Sequence, residues 1–291
     1  MTTTDRERTV RAIRWILILL SVVSGTLVAG PAQAAPAAVR VMTFNLCGNV
    51  CRHGEVAGTA AHAAYQIRSR RVDVAFLQEV CYSQFLGVRS RLRKHGYTAT
   101  FARTTGGGRC DDDDRRHGRG FGLAIVAKGK LTGRVARFLP SPASAGPEPR
   151  ALLGATVTVH RRRVFVATTH TAPGGPNLDA QLAAVHRYLA PIAAGRRVLF
   201  GGDLNMLPHR PGLDVYFSAA SPGGRGVFRD ADGGRFTPAC RCGRPTFRTV
   251  PRKIDYLFGN ERFFRPRSAA IAGTGFSDHR VYVGDFVMLG G

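Results

Sequence analysis

Val198-Leu199-Phe200-Gly201-Gly202-Asp203-Leu204-Asn205 is the stretch that decides the reading of this chain. An apolar run stops at a glycine pair, and an acid and an amide follow at once. Residues 198–204 read as a strand, and the unbroken apolar run implies cover on both faces. In sheets of that kind ligands bind where strands end, so Asp203 and Asn205 stand where chemistry is done. The same pattern recurs on either side. Asn45 ends Val41-Met42-Thr43-Phe44, Glu79 ends Val74-Ala75-Phe76-Leu77-Gln78, and His170 ends Phe165-Val166-Ala167-Thr168-Thr169. Asp255 lies within Lys253-Ile254-Asp255-Tyr256-Leu257-Phe258, and Asp278 and His279 precede Val281-Tyr282-Val283. Any one of these is an ordinary cap or surface charge. Together, the four carboxylates, two histidines and two asparagines form the acid-rich set with imidazoles that metal-assisted phosphate chemistry requires.

Further elements follow from periodicity. Strands are expected over residues 39–46, 72–78, 122–128, 254–258 and 281–287, and helices over 55–71, 83–95 (closed by Gly96) and 176–192. Residues 151–160 and 164–170 form a hairpin around Arg161-Arg162-Arg163. The alternation of short apolar runs with helical stretches predicts an α/β domain. Residues 104–120 and 218–251 read as loops. The first carries four consecutive aspartates, Asp111 to Asp114, which lack the spaced ligand order of a calcium loop. That run reads as solvated and paired with its neighbours Arg115, Arg116 and Arg119.

The chain has 291 residues, 44% of them hydrophobic, which is enough for a sizeable core and excludes a disordered composition. Lys and Arg number 42 against 19 Asp and Glu, a formal charge of +23. A GC-rich genome would explain arginine in place of lysine, but not the excess of cations over anions. That excess points to a polyanionic partner. The first 34 residues read as a signal peptide: Arg6, Arg8, Arg11 and Arg14, an apolar run from Trp15 to Ala29, then Ala32-Gln33-Ala34 before the cut. The run is short for a spanning helix and is broken by Gly30-Pro31, so cleavage is preferred to an uncleaved anchor, leaving a secreted domain over 35–291. Those 34 residues hold four arginines, one aspartate and one glutamate, so the mature charge stays near +21. Cys47, Cys51, Cys81, Cys110, Cys240 and Cys242 make an even count, expected to form disulfides in an oxidising compartment. Local pairs Cys47–Cys51 and Cys81–Cys110 would leave Cys240 and Cys242 to close a tight ring, while the sequence leaves the other pairings open. A zinc site is the competing reading, but Cys240-Arg241-Cys242 lacks the usual ligand spacing.

Thr43-Phe44-Asn45, Leu77-Gln78-Glu79, Thr169-His170, Gly202-Asp203-Leu204-Asn205, Ile254-Asp255-Tyr256 and Ser277-Asp278-His279 together resemble the endonuclease/exonuclease/phosphatase superfamily, the group containing deoxyribonuclease I. The motifs stand in the family's order and span nearly the whole mature chain. The resemblance implies a four-layer fold, a two-sheet β-sandwich flanked by helices, with the site at one edge of the sheets. It also implies a divalent-metal-dependent phosphodiester hydrolase using Mg²⁺ or Mn²⁺, with Ca²⁺ a candidate structural ion. Glu79 would be a metal ligand, with Asn45 a neutral ligand or brace beside it and Asp278 a further ligand. Asp203 would orient or deprotonate the attacking water, and Asn205 would hydrogen-bond the phosphoryl oxygen or nucleophile. His279 would contact the scissile phosphate, its tautomer fixed by Asp255 or Asp278. His170 would bind phosphate or protonate the leaving oxygen. Arg150 matches the place of a phosphate-facing arginine before a strand. Ser277 lacks the surroundings of a hydrolase nucleophile.

Those motifs recognise phosphate and metal, so they do not separate nucleases from lipid-headgroup phosphodiesterases or phosphatases. A charge near +21 favours nucleic acid, DNA or RNA, since phosphate contacts dominate that affinity. Arg115, Arg116, Arg119, Arg241, Arg244, Arg248 and Arg252, all in the two long loops, are the expected contacts. A monomer without a membrane anchor is expected. A non-catalytic polyanion-binding protein would have lost site residues, and none is missing.

Overall fold

In the computed structural model residues 37–110, 119–141 and 148–290 are described, and the signal-peptide reading, the Asp111–Asp114 run, Arg115 and Arg116 lie outside them. Alternation along the first strand sets the layering. In β1 (Ala38–Asn45), Val39 and Val41 face one core, while Met42 and Phe44 face another. β2 (Val74–Cys81) does the same, with Val74 and Phe76 on one side and Ala75 and Leu77 on the other. Such double burial requires a sheet covered on both faces.

The chain supplies α1 (Ala57–Ser69), α2 (Tyr82–Arg93), β3 (Tyr97–Gly106), β4 (Gly120–Lys128), β5 (Thr132–Phe138), β6 (Ala151–Val159) and β7 (Arg162–His170). Then come α3 (Gly175–Gly195), β8 (Val198–Asp203), β9 (Phe228–Asp230), β10 (Asp255–Asn260), β11 (Phe264–Ala272) and β12 (Val281–Met288). They make two six-stranded sheets, ordered β11-β12-β1-β2-β4-β3 and β5-β6-β7-β8-β10-β9. Among these described strands, β1 with β2 and β7 with β8 pair in parallel and the other neighbours pair antiparallel. The sheets share a core that includes Val41, Phe76, Ile125, Leu153, Val166 and Leu199. The outer face of the first sheet packs under α1 and α2, through Phe44, Leu77, Ile67 and Phe85. The outer face of the second packs under α3, whose Leu178, Leu182, Val185 and Leu189 meet Phe165, Phe200 and Tyr256. The order helix, sheet, sheet, helix is the four-layer sandwich expected. The described residues fall in one compact unit. Among them no helix is long and apolar enough to cross a membrane.

Several expectations need correction. The hairpin between β6 and β7 turns on His160 and Arg161, both at positive φ (46° and 65°), so Arg162 and Arg163 already belong to β7. Two adjacent positive-φ residues give the turn whose twist matches that of the flanking strands. β3 reaches Gly106 inside the expected 104–120 loop, β9 interrupts the expected 218–251 loop, and β5 and β11 were not expected at all. Disulfides join Cys47–Cys51, Cys81–Cys110 and Cys240–Cys242, and the described residues hold no free cysteine.

The topology places the site. β12 and β2 flank β1 in the first sheet, and β7 and β10 flank β8 in the second. Asn45 and Glu79 end or nearly end parallel neighbours, and His170, Asp203 and Asp255 stand side by side in register. The central strands of both sheets therefore deliver their polar ends to one edge.

Candidate active site

Asp203 is the focus. Its carboxylate is buried, and Oδ2 accepts a hydrogen bond from Asn45 Nδ2 at 3.1 Å while lying 3.5 Å from Nε2 of both His170 and His279. Oδ1 accepts the backbone N–H of Asn205 at 3.0 Å. The turn that allows this needs Gly202, at φ 145°, where a Cβ would lie 2.1 Å from the carbonyl oxygen of Thr169. Asn205 itself is held at φ 48°, its Nδ2 donating to the Thr171 carbonyl at 2.9 Å. Glu79 is likewise a positive-φ residue, at 53°, where the pairing of β2 with β4 shifts register between Leu77 and Val80. Such backbone costs about 1–3 kcal/mol for a non-glycine residue and persists where the surroundings impose it. Here it turns the Glu79 carboxylate into the cleft, within 2.9 Å of Asn45 Nδ2.

Asn45 has a single visible role. Its Oδ1 accepts from Cys47 N at 2.9 Å, and its amide protons face Glu79 and Asp203. Of the two expected roles this geometry fits the brace between carboxylates. Ser277 Oγ donates to the Asn45 carbonyl at 2.8 Å and receives His279 N at 3.0 Å, tying the end of β1 to the turn that leads into β12. Asp278 is half-buried, its carboxylate near the Cys47 and Cys51 sulfurs, which are joined to each other and offer no thiolate.

The two imidazoles differ. His279 Nδ1 donates to Asp255 Oδ2 at 2.9 Å, so Asp255, not Asp278, fixes its orientation. Burial works against charge on this ring, but Asp255 and Asp203 outweigh it and raise its pKa to about 10. His170 faces Arg150 Nη1 through Nδ1 at 2.6 Å. A guanidinium only donates, so Nδ1 accepts and the His170 proton sits on Nε2, toward Asp203 and Glu79. Burial, then the charges of Arg150 and His279, hold His170 well below the ordinary range, and the ring is neutral. Burial lifts Asp203 to about 7, with Asp255 adding to it, against His279, Asn205 N–H and Asn45. Burial also raises Glu79, against the Asn45 hydrogen bond and His279, with Asp278 and Glu148 pushing the same way as burial.

This set fits a hard divalent cation. Carboxylate oxygens dominate it, like charges crowd one cleft, and Asp255 Oδ1 is buried without a hydrogen-bond partner in the protein. Asp203, Asp255 and His279 bring polar atoms within 4.8 Å of one another, but a His279 ring protonated on both nitrogens has no lone pair to give, so the carboxylates are the donors.

The arginines divide sharply. Arg150 is buried, held by Glu148 at 3.1 Å and by His170, so it acts on the imidazole. Arg241, expected to hold substrate, is buried, paired with Asp214, and stacked over Phe217 at 4.8 Å. Arg244 is bound to Asp232 at 3.0 Å and to the Ala269 carbonyl at 2.8 Å. Both are corrected from substrate contacts to ties within the fold. Arg248 reaches the Thr274 and Ser277 carbonyls, clamping the turn that carries Asp278. Arg119 is exposed and donates to the Gly108 carbonyl at 3.2 Å. Arg241→Ala is expected to cost about 2 kcal/mol of stability, because it leaves a largely buried Asp214 with only the more distant Arg225 at 3.8 Å, and to leave turnover within about twofold. A denaturant midpoint and kcat/KM measured together check this.

Sequence reasoning missed several supporting residues. Gln78 accepts from Thr43 Oγ1 at 3.2 Å and donates to Thr168 Oγ1 at 2.9 Å, bridging the two sheets beneath the site. Lys253 is buried, paired with Asp230 at 2.9 Å, and donates to the Asp255 carbonyl at 3.2 Å. Phe247 meets the His279 ring edge-on, centroids 4.9 Å apart. The sequence signals among these were Gln78, which stands inside the Leu77-Gln78-Glu79 motif, and a lysine directly before a buried strand.

A family model described as the Endonuclease/Exonuclease/phosphatase family matches residues 42–279. The human nocturnin catalytic domain with bound sulfate anion is similar in structure at TM-score 0.67 and 20% identity, over 87% of this chain and 94% of that one. An endonuclease/exonuclease/phosphatase family protein from Bacteroides thetaiotaomicron gives 0.66 and 15%, over 87% and 98%. The endonuclease/exonuclease/phosphatase from Beutenbergia cavernae gives 0.64 and 23%, over 86% and 72%. No curated protein matches by sequence.

Proposed function

Since the chain belongs to the endonuclease/exonuclease/phosphatase family of hydrolytic phosphoesterases, we propose that it is a secreted, divalent-metal-dependent phosphodiesterase acting on nucleic acid. The observation that carries the hydrolytic part is the buried Asp203 carboxylate, braced by Asn45 and flanked at 3.5 Å by Nε2 of both His170 and His279. A bound Mg²⁺ or Mn²⁺ would neutralise phosphate charge and act as Lewis acid, held by Glu79 with Asp278 as a further oxygen donor.

The protein's own groups do the rest. Asp203, lifted to about 7, takes a proton from the attacking water near neutral pH. Asn205 orients that water or the phosphoryl oxygen beside it. His279, protonated on both nitrogens and aligned by Asp255, donates to a phosphoryl oxygen as negative charge builds. Neutral His170 offers an Nε2–H hydrogen bond but not a readily released proton, so phosphate binding suits it better than protonation of the leaving oxygen. Water attacks phosphorus in line, the bond to the leaving oxygen breaks, and solvent protonates that oxygen.

A mature charge near +21 supports a long polyanion as substrate, although Arg241 and Arg244 no longer contribute to that argument. Export is supported by the basic and apolar leader and by three disulfides, which persist in oxidising compartments. The purified protein from residue 35 should nick plasmid DNA or degrade RNA in Mg²⁺ and leave sphingomyelin intact. Release of headgroup from sphingomyelin with both nucleic acids untouched would move the substrate to lipid.

The Cys47–Cys51 bridge closes the loop whose Cys47 N–H holds Asn45, and Gly48 N–H donates to the Glu79 carbonyl at 2.9 Å. Replacing both cysteines by serine should raise the Mg²⁺ concentration for half-maximal rate by roughly tenfold, the scale on which groups behind metal ligands act. An unchanged Mg²⁺ titration would show that the bridge does not support the metal side.

A further inference from the structure

We propose that the cavity beside Asn205 is the subsite for the nucleoside unit next to the scissile phosphate, and that Arg210 and Arg252 on its wall hold the following phosphate. The inference rests on the nucleic-acid reading above. The cavity measures about 550 Å³, within the range of small-molecule sites, and Asn205 forms part of its wall. It therefore adjoins the catalytic cleft at Asn205. Its second link to that cleft is Arg252. That guanidinium stacks over the Phe247 ring at 5.0 Å, and the same ring packs against His279 at 4.9 Å. Asn205 thus stands on the cavity wall, and His279 is linked to that wall through the rings and guanidinium of Phe247 and Arg252.

The wall is of two kinds. Met206, Leu207 and Pro211 supply apolar surface, which a base can lie against because every base has an apolar face. Arg210 and Arg252 are exposed, and among the described residues neither takes part in an ion pair, whereas Arg241 and Arg244 are committed to aspartates. Asp179 is the one carboxylate on the wall, so the cavity carries an excess of positive charge. An apolar wall with two free guanidiniums, adjoining a phosphate-cleaving centre, matches a nucleoside followed by a phosphate. A guanidinium recognises phosphate by paired donors that no acyl chain would occupy.

The test uses the intact mature enzyme and three substrates: a dinucleoside monophosphate, and the same molecule with an added 5′- or 3′-terminal phosphate. Bis(p-nitrophenyl) phosphate is the control. Wild type should prefer one of the two phosphorylated forms by roughly tenfold in kcat/KM, the scale of a charge-assisted contact. Arg210→Gln with Arg252→Gln should remove that preference. Both side chains are exposed, so the variant should fold, which its denaturation midpoint verifies. Cleavage of the dinucleotide with no preference in wild type, or a preference that survives both substitutions, overturns the subsite and leaves the nucleic-acid reading standing. Cleavage of the p-nitrophenyl diester alone overturns both.

Discussion

Glu79→Ala is expected to lower phosphodiester hydrolysis by at least ~10³-fold at moderate Mg²⁺, with partial recovery as Mg²⁺ is raised. The carboxylate stands in a cleft already crowded with negative charge, and burial raises its pKa from its ordinary value. The protein keeps that arrangement despite a positive φ at residue 79. A carboxylate held against both strain and charge is explained by a cation that needs its oxygen. Removing it should first weaken metal binding, seen as a rightward shift of the rate against Mg²⁺, and the fold should survive because residue 79 is half-buried at the edge of the core. A variant with an unchanged Mg²⁺ curve would remove Glu79 from the metal side.

His279→Ala should reduce kcat by about 10³-fold while leaving the Mg²⁺ midpoint near that of wild type. The ring is a charged donor set between Asp255 and Asp203, and its work is on phosphate. Asp255→Asn should reproduce part of the loss, since it keeps the shape but removes the charge that aligns the imidazole. If His279→Ala shifted the Mg²⁺ midpoint as far as Glu79→Ala does, the division between metal side and phosphate side would fail.

The strands that sequence pattern missed share one physical property. β3, β5, β9 and β11 are the four edges of the two sheets. An edge strand has one neighbour and one exposed flank, so its apolar alternation is broken. β5 is exposed along nearly its whole length, and β11 carries Arg265, Pro266 and Arg267. Such charges and proline protect edges from pairing with other chains, and they also erase the alternation by which a strand is recognised. The central strands had the opposite character. β1, β2, β7 and β8 are buried almost throughout, and their polar residues stand out at the ends. That contrast made Asn45, Glu79, His170, Asp203 and Asn205 legible in the amino-acid sequence alone.

The arginines were legible as charge but not as function. Arg241 lies 27 residues from its partner Asp214, and Arg244 lies 12 from Asp232. Nothing local in a glycine-rich loop records such pairings. Asn45 gives a subtler case, because its amide orientation depends on the Cys47 N–H that faces it.

The central claim is that this cleft hydrolyses phosphodiesters with a divalent metal. Wild type and Glu79→Ala should be purified side by side and assayed on plasmid DNA and RNA in Mg²⁺, in excess chelator, and after Mg²⁺ is restored. The account predicts cleavage by wild type that chelator stops and Mg²⁺ restores, and no comparable cleavage by the variant. Cleavage that persists in chelator, or equal cleavage by both proteins, would contradict it.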